Sequence, residues 1–493
     1  MALVTRLLGF GGSVVALVAF GCAAGNDEPD GGVGGSGGSP PPKEVSAKGI
    51  TITDVDLYQT IEVPLVRAGV AAASDVPIVA GKDAFLRVGF TLDPAFTPRE
   101  IRVKVTLESA STDVEPVDAK APLNAPSSHG SVASTLNVVI PGASILADTT
   151  FRIDLFEANP DAKVSDPAGV PGYPESGTVA LGAKYIGEGT RIVLVPIVYN
   201  ADGSGRTPDT SDAQLELYRS LVQAMYPTPV VNLEVGAAWS YNGADVQAFG
   251  NGWDNILTAF ANAHHGAGSD PKAYYYGLFQ PASSFNQYCQ GGCVTGLSFG
   301  ADDPNYADAR SSVSLGFSGS DFAETFAHEL GHAHGQLGHS PCGGAGSVDP
   351  QYPHSGGSIG VFGMDVATQT LKDPSLKDLM GYCPNTWISD YNYKNFFERT
   401  KALGQSAFVK HGPPERWRAY SVGLDGQLYD AGTSERTIRP GGDPAVVHMR
   451  DATGAMVERE GYYLAADHLP VGMLLVRDEP GLVAASLTRS PSP

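Results

Sequence analysis

A chain of 493 residues is too long for one ordinary hydrophobic core, so two or three folded domains are expected once any leader is set aside. Its 53 acidic residues against 32 basic ones give a formal charge of -21, and no basic cluster could track a phosphate backbone, which argues against nucleic acid as a partner. Sixty glycines, thirty-six prolines and only 17% charged residues fit a loop-rich, β-containing exported protein better than a helical cytosolic one.

The first residues, MALVTRLLGFGGSVVALVAFGCAAG, place one cation, Arg6, before a glycine-broken apolar run that ends in small residues. Residues 1–21 read as a secretory signal, because the run from Leu7 to Gly21 is shorter than the about 20 apolar residues a membrane span needs. The string AFGC, ending at Cys22, resembles a bacterial lipobox with Ala19 in place of the usual leucine, which implies a lipid on Cys22. Residues 22–47 hold the tether NDEPDGGVGGSGGSPPP, which has too little apolar surface to fold. A lipoprotein of the bacterial outer membrane or a secreted protein is expected, monomeric and touching a membrane through its anchor alone.

Residues 48–188 carry short runs of alternating β-branched and polar residues, such as ITITDVDLYQTIEVPLV, DAFLRVGFTL and TTFRIDLFEA, parted by Pro, Gly and Asp turns. This pattern predicts a β-sandwich of immunoglobulin type, without cysteine and without a catalytic cluster. Residues 189–404 change to alternating strands and helices. RIVLVPIVYN, VVNLEVGAAW and AYYYGLFQPA read as strands, DTSDAQLELYRSLVQAMYP as a helix capped by Asp209 or Ser211, and NGWDNILTAFANAHHG as a second helix. His264 and His265, at the end of that second helix, read as cations suited to the helix dipole rather than as ligands. Residues 405–493 lose the helical period and read as a small terminal β domain. Cys289, Cys293, Cys342 and Cys383 form an even set that suggests disulfides in an exported chain; Cys289 with Cys293 and Cys342 with Cys383 is preferred, and two other pairings stay open.

The densest chemistry lies in SDFAETFAHELGHAHGQLGHSPC. Asp321 three residues before Glu324 makes a plausible helix cap, Phe322, Phe326 and Leu330 form one apolar face, and Gly335 is a natural stop. His328 and His332, four apart, lie about 40° from each other on that helix and can aim two imidazoles at one ion, while His334 points elsewhere. A catalytic zinc needs a third protein ligand, for which His339 comes first, with Asp349 and His354 as alternatives. Zinc would make water acidic near pH 7, and Glu329, beside the first ligand but not itself one, would take a proton from that water and pass it to a leaving amine.

HELGHAHGQLGH resembles the elongated zinc motif of the metzincin endopeptidases, H-E-x-x-H-x-x-G-x-x-H, which also have a downstream methionine turn. DLMGYC supplies that turn with Met380, and DLMGYCPNTWISDYNY together with HSPCGG is most similar to large secreted bacterial members, including those that cleave mucin-type glycoproteins. The resemblance covers roughly residues 190–403 and implies Zn2+ as cofactor, His328, His332 and His339 as ligands, and a protein or glycoprotein substrate. It departs at one place: Gly338 stands where the family has its third histidine, and His339 follows one residue later. Tyr382, two residues after Met380, matches a tyrosine that in some members stabilises the developing oxyanion; a packed core tyrosine is the equal alternative. A Cys342 to Cys383 bond would fasten the third-ligand loop to the methionine turn. CVTGLSFG could form the sheet edge on which an extended substrate pairs, and GADDPNYAD reads as a solvated acidic loop. No cysteine lies between Cys22 and Cys289, so a block on the metal from the N-terminal side would need an aspartate. The contrasting expectation is a surface adhesion or glycan-binding lipoprotein whose displaced histidine marks lost activity.

Overall fold

Alternation of buried and half-exposed residues along Arg99–Glu108 and Thr150–Glu157 makes each strand apolar on one face only, which calls for a second sheet to cover it. The computed structural model describes residues 43–408 and 412–489, so the expected signal, the AFGC motif with Cys22 and the glycine-rich tether lie outside the described residues. One antiparallel sheet runs in the order Val70–Ala71, Glu62–Arg67, Ile50–Tyr58, Ala84–Leu92, Leu136–Ile140. The other runs Val179–Ala180, Thr150–Glu157, Arg99–Glu108, Val117–Leu123, with Gly172–Tyr173 also paired to Thr150–Glu157. Ile52, Leu86 and Val88 from the first sheet join Ile101, Val103 and Ile153 from the second in one core.

The run ITITDVDLYQTIEVPLV is two strands, not one, because the chain turns at Gln59–Ile61 and drives Thr60 into the neighbouring layer. There the Thr60 hydroxyl donates to the Ala224 carbonyl at 2.8 Å, and the Trp387 indole N–H donates to the Thr60 carbonyl at 3.0 Å. Gly236 likewise splits VVNLEVGAAW into Val231–Val235 and Trp239–Tyr241, both parallel to Thr190–Tyr199.

The central sheet has the order Val231–Val235, Thr190–Tyr199, Tyr274–Phe279, Ser311–Leu315, all parallel, and then Gly296–Ser298 antiparallel at the edge. Five helices accompany it: α1 Asp212–Met225, α2 Trp253–His264, the short α3 Phe285–Tyr288, α4 Ser320–Ala333 and α5 Asp390–Gln405. The Ser211 hydroxyl caps α1 by accepting from Gln214 N–H. The cap expected at Asp321 does not form; the N-cap position of α4 is Gly319, whose N–H donates to the Gln214 side chain of α1 at 2.8 Å. Helix packing thus replaces the local cap.

The terminal sheet is antiparallel in the order Leu428–Arg436, Glu415–Val422, Gly472–Arg477, Met456–Ala465, Asp443–Arg450, Val483–Arg489. It does not keep its core to itself: Trp417, Tyr462, Leu464 and Met473 pack with Val195, Trp253 and Phe279 of the central layer. Asp308, in the loop read as solvated, is buried against Arg436, and the Ser421 hydroxyl donates to Asp254 at 2.6 Å. The chain is mostly β with few helices, and Glu44–Pro493 belongs to one compact unit. Among the described residues no helix is long and apolar enough to cross a membrane.

Candidate metal centre

Helix α4 buries Phe322, Phe326 and Leu330 on its core side, and this fixes its rotation so that His328 and His332 emerge together. Each ring is then set by a carbonyl. His328 Nδ1–H donates to Leu379 O at 2.7 Å, and His332 Nδ1–H donates to Gln336 O at 2.5 Å. A carbonyl only accepts, so the proton of each neutral ring sits on Nδ1 and both Nε2 atoms carry lone pairs. Those Nε2 atoms face each other at 3.1 Å.

His339 arrives from the loop after Gly335, which takes a left-handed φ of 90° and ends the helix. The inserted residue is absorbed by a small bridge: His339 N–H donates to Ser347 O at 3.0 Å, and Asp349 N–H donates to His339 O at 2.9 Å. A Cβ on Gly338, where the resemblance would put the histidine, would sit 2.8 Å from the Asp349 Cβ, so that position has no room for a side chain. The ligand atoms of His328, His332, His339 and a fourth histidine, His468, all lie within 4.8 Å of one another. Asp349 accepts from Tyr391 O–H at 2.8 Å and His354 faces Asp390 at 2.6 Å, so neither joins the cluster. His334 donates to Leu330 O at 2.8 Å and stacks on Tyr274, on the opposite side of the helix.

The turn at Asp378–Cys383, read from the sequence as a methionine turn, lies under α4. Met380 is fully buried, and a Cβ on Gly331 would meet its sulfur at 2.5 Å, so the glycine between Leu330 and His332 is the space the thioether fills. Asp378 organises the turn: its Oδ1 accepts from Met380 N–H at 2.7 Å, Ser340 O–H at 2.8 Å and Asn392 Nδ2 at 2.7 Å, and its Oδ2 accepts from Ser389 N–H at 2.8 Å. One carboxylate therefore joins the turn, the residue after His339, and the start of α5. Cys342 and Cys383 are disulfide-bonded with Cα atoms 5.6 Å apart, and Cys289 and Cys293 form the second disulfide with Cα atoms 5.3 Å apart. The first of these fastens the His339 loop to the same turn, and the pair indicates an oxidising environment.

Burial, reinforced by the neighbouring imidazoles, holds His328 far below its ordinary pKa; burial likewise brings His332 down to about 3 and His339 to about 4. Burial, and then the charge of Asp467, push the Glu329 carboxyl up to about 8. A Cβ on Gly296 would sit 2.4 Å from Glu329 Oε1, so the edge strand needs glycine beside this carboxyl, whose other oxygen is buried without a partner. Unprotonated Nε2 atoms turned toward one another have no proton to share, and a cation removes their repulsion. The donor set of imidazoles with a nearby carboxylate suits zinc. No protein-family model and no curated protein matches the chain. The assignment of chemistry therefore rests on the site itself.

A cleft of about 800 Å³ opens over the cluster, lined by Thr295, Gly296, Glu324, Glu329, Tyr382 and His468. Tyr382 is 45% exposed, and its hydroxyl lies 3.3 Å from His339 Nε2 and in close contact with His468 Nδ1. Burial, with the charges of Glu329 and Asp467, raises its pKa, so it is a neutral donor at neutral pH.

Sequence reasoning missed Asp378, the helix α5, and the Asp467–His468 pair, which the terminal sheet delivers from 129 residues beyond His339. Ser389 followed by Asp390 could have announced the start of α5; ADHLP carries no such signal. The helix-end reading of His264 and His265 also changes. His265 is buried against the Ser311 hydroxyl at 2.9 Å, and burial lowers its pKa to about 3, so it is no cation for a helix dipole.

Proposed function

We propose that this chain is an exported zinc-dependent endopeptidase of metzincin type, with an immunoglobulin-like sandwich before the catalytic part and a lipid on Cys22. Its substrates are proteins or glycoproteins outside the cell. The observation that carries the reading is the convergence of three histidine side chains, His328, His332 and His339, beside a buried carboxyl, under a cleft that His328 and Glu329 line.

Zinc held by those three histidines would supply the Lewis acidity that makes water nucleophilic near neutral pH. Glu329, buried beside the cluster, takes the proton of the attacking water and returns it to the leaving amine. The Tyr382 hydroxyl donates to the oxygen on which negative charge develops. The Gly296 end of the edge strand, beyond the Ser298 groups that pair with Asp467, holds an extended substrate by strand pairing.

The test is metal analysis with a protease assay on the soluble body, using Glu329→Ala as control. Stoichiometric zinc, with proteolysis abolished by Glu329→Ala and zinc retained, is the expected result. A chain that takes up no zinc, or that holds zinc without cleaving any protein even in variants that open the cleft, favours the adhesion or glycan-binding reading instead. Diacylglycerol on Cys22 in the mature N-terminus, read by mass spectrometry, tests the anchor.

A further inference from the structure

The terminal β sheet reaches into the metal centre through the tight connection between its strands Met456–Ala465 and Gly472–Arg477. Ala466 bridges Phe299 antiparallel, Asp467 N–H donates to Ser298 O at 3.0 Å, and Ser298 N–H donates to Asp467 Oδ1 at 2.7 Å. These contacts take up part of the sheet edge on which an extended substrate would pair. They also place the next residue, His468, over the three-histidine cluster.

His468 is oriented as a ligand is. Its Nε2 lies 2.6 Å from Asp467 Oδ2 and 3.1 Å from Glu329 Oε1, and two carboxylates there favour an N–H on that atom. Its Nδ1 faces His339 Nε2 at 3.0 Å with the Tyr382 hydroxyl also against it, and its ring centroid lies 5.3, 5.1 and 4.9 Å from those of His328, His332 and His339. Four nitrogens around a zinc with bonds of 2.0 to 2.1 Å sit about 3.3 Å apart in a tetrahedron. Two of the spacings, 3.1 Å for His328 to His332 and 3.0 Å for His339 to His468, are close to that edge.

We infer that His468 Nδ1 is the fourth ligand of the metal centre, so that the terminal sheet closes the site in the form described here. This rests on the zinc reading of the three other histidines. A structural zinc site has four protein ligands, whereas a catalytic one keeps a position for water. His468 takes that position, engages the general base through its other nitrogen, and rides on a segment that occupies the substrate edge. Access for substrate then requires withdrawal of the 466–468 connection, which is short and anchored by a sheet that shares its core with the central layer.

The experiment is zinc K-edge X-ray absorption on the zinc-loaded soluble chain, with azide titrated into its cobalt(II)-substituted form. Four imidazoles and a cobalt spectrum that azide leaves unchanged are expected. The His468→Ala variant should show three imidazoles with one oxygen, an azide-dependent shift of the cobalt bands, and at least tenfold faster cleavage of unfolded casein. Three imidazoles and an oxygen in the unaltered chain overturn the inference and leave the zinc peptidase reading standing. Failure to take up zinc or cobalt overturns both. The ligand count of the unaltered chain decides the matter even if the variant does not fold.

Discussion

His328 and His332 share one helix and are each aimed by a backbone carbonyl, while His339 and His468 come on loops from separate parts of the chain and are held by a disulfide, a buried carboxylate and a whole sheet. The first pair is precise because the helix period is fixed; the second is precise only as long as distant packing is intact. The two halves of the centre should therefore fail differently.

The largest effect is expected from the helix half. His332→Ala should abolish zinc retention through dialysis, whereas His339→Ala, which leaves the helix pair and His468, should keep zinc with reduced affinity; elemental analysis of the two variants compares them, and equal losses would break the contrast. Next comes the loop half. Cys342→Ser with Cys383→Ser removes a cross-link spanning 41 residues and should cost about 4 kcal/mol in urea unfolding, against about 2 kcal/mol for the pair four residues apart, Cys289 and Cys293.

Asp378→Asn sharpens the comparison further, because this carboxylate holds the His339 loop and the methionine turn without touching α4's own hydrogen bonds. Zinc affinity should fall about 10- to 100-fold, measured by competition with a chelator, with helix content unchanged by circular dichroism. The smallest effect concerns a buried histidine that converges with no other. The His265 pKa is about 3 when folded and its ordinary value is 6.5, so the native state binds fewer protons between those values. Its stability contribution is present above about pH 6.5 and is lost as pH falls toward 3, a loss of about 2 kcal/mol at pH 5. His265→Gln should make the difference in unfolding free energy between pH 7 and pH 5 smaller by that amount.

What could be read from the sequence follows the same division. His328, Glu329 and His332 and the apolar face of α4 all follow a local period, so sequence alone places them on one helix. His339 was legible as a candidate because Gly335 announces a turn, yet its choice over Asp349 and His354 depends on a bridge to Ser347 that no period encodes. His468 was not legible, since its meaning comes from pairing between Phe299 and Ala466 across the whole chain. The strand patterns of the first 140 or so folded residues indicated paired sheets, but the break at Gln59–Ile61 follows from what lies against Thr60 rather than from the run itself.

That turn bears on how the protein can be handled. Thr60 gives its hydroxyl proton to α1 and its carbonyl to Trp387, which sits between the methionine turn and α5. A fragment begun after the sandwich, at residue 189, would strip Trp387 of its acceptor and expose the apolar floor beneath the turn. The sandwich thus completes the core beneath that turn, and the part that holds the histidine cluster should be obtained as soluble protein only when both are made as one polypeptide.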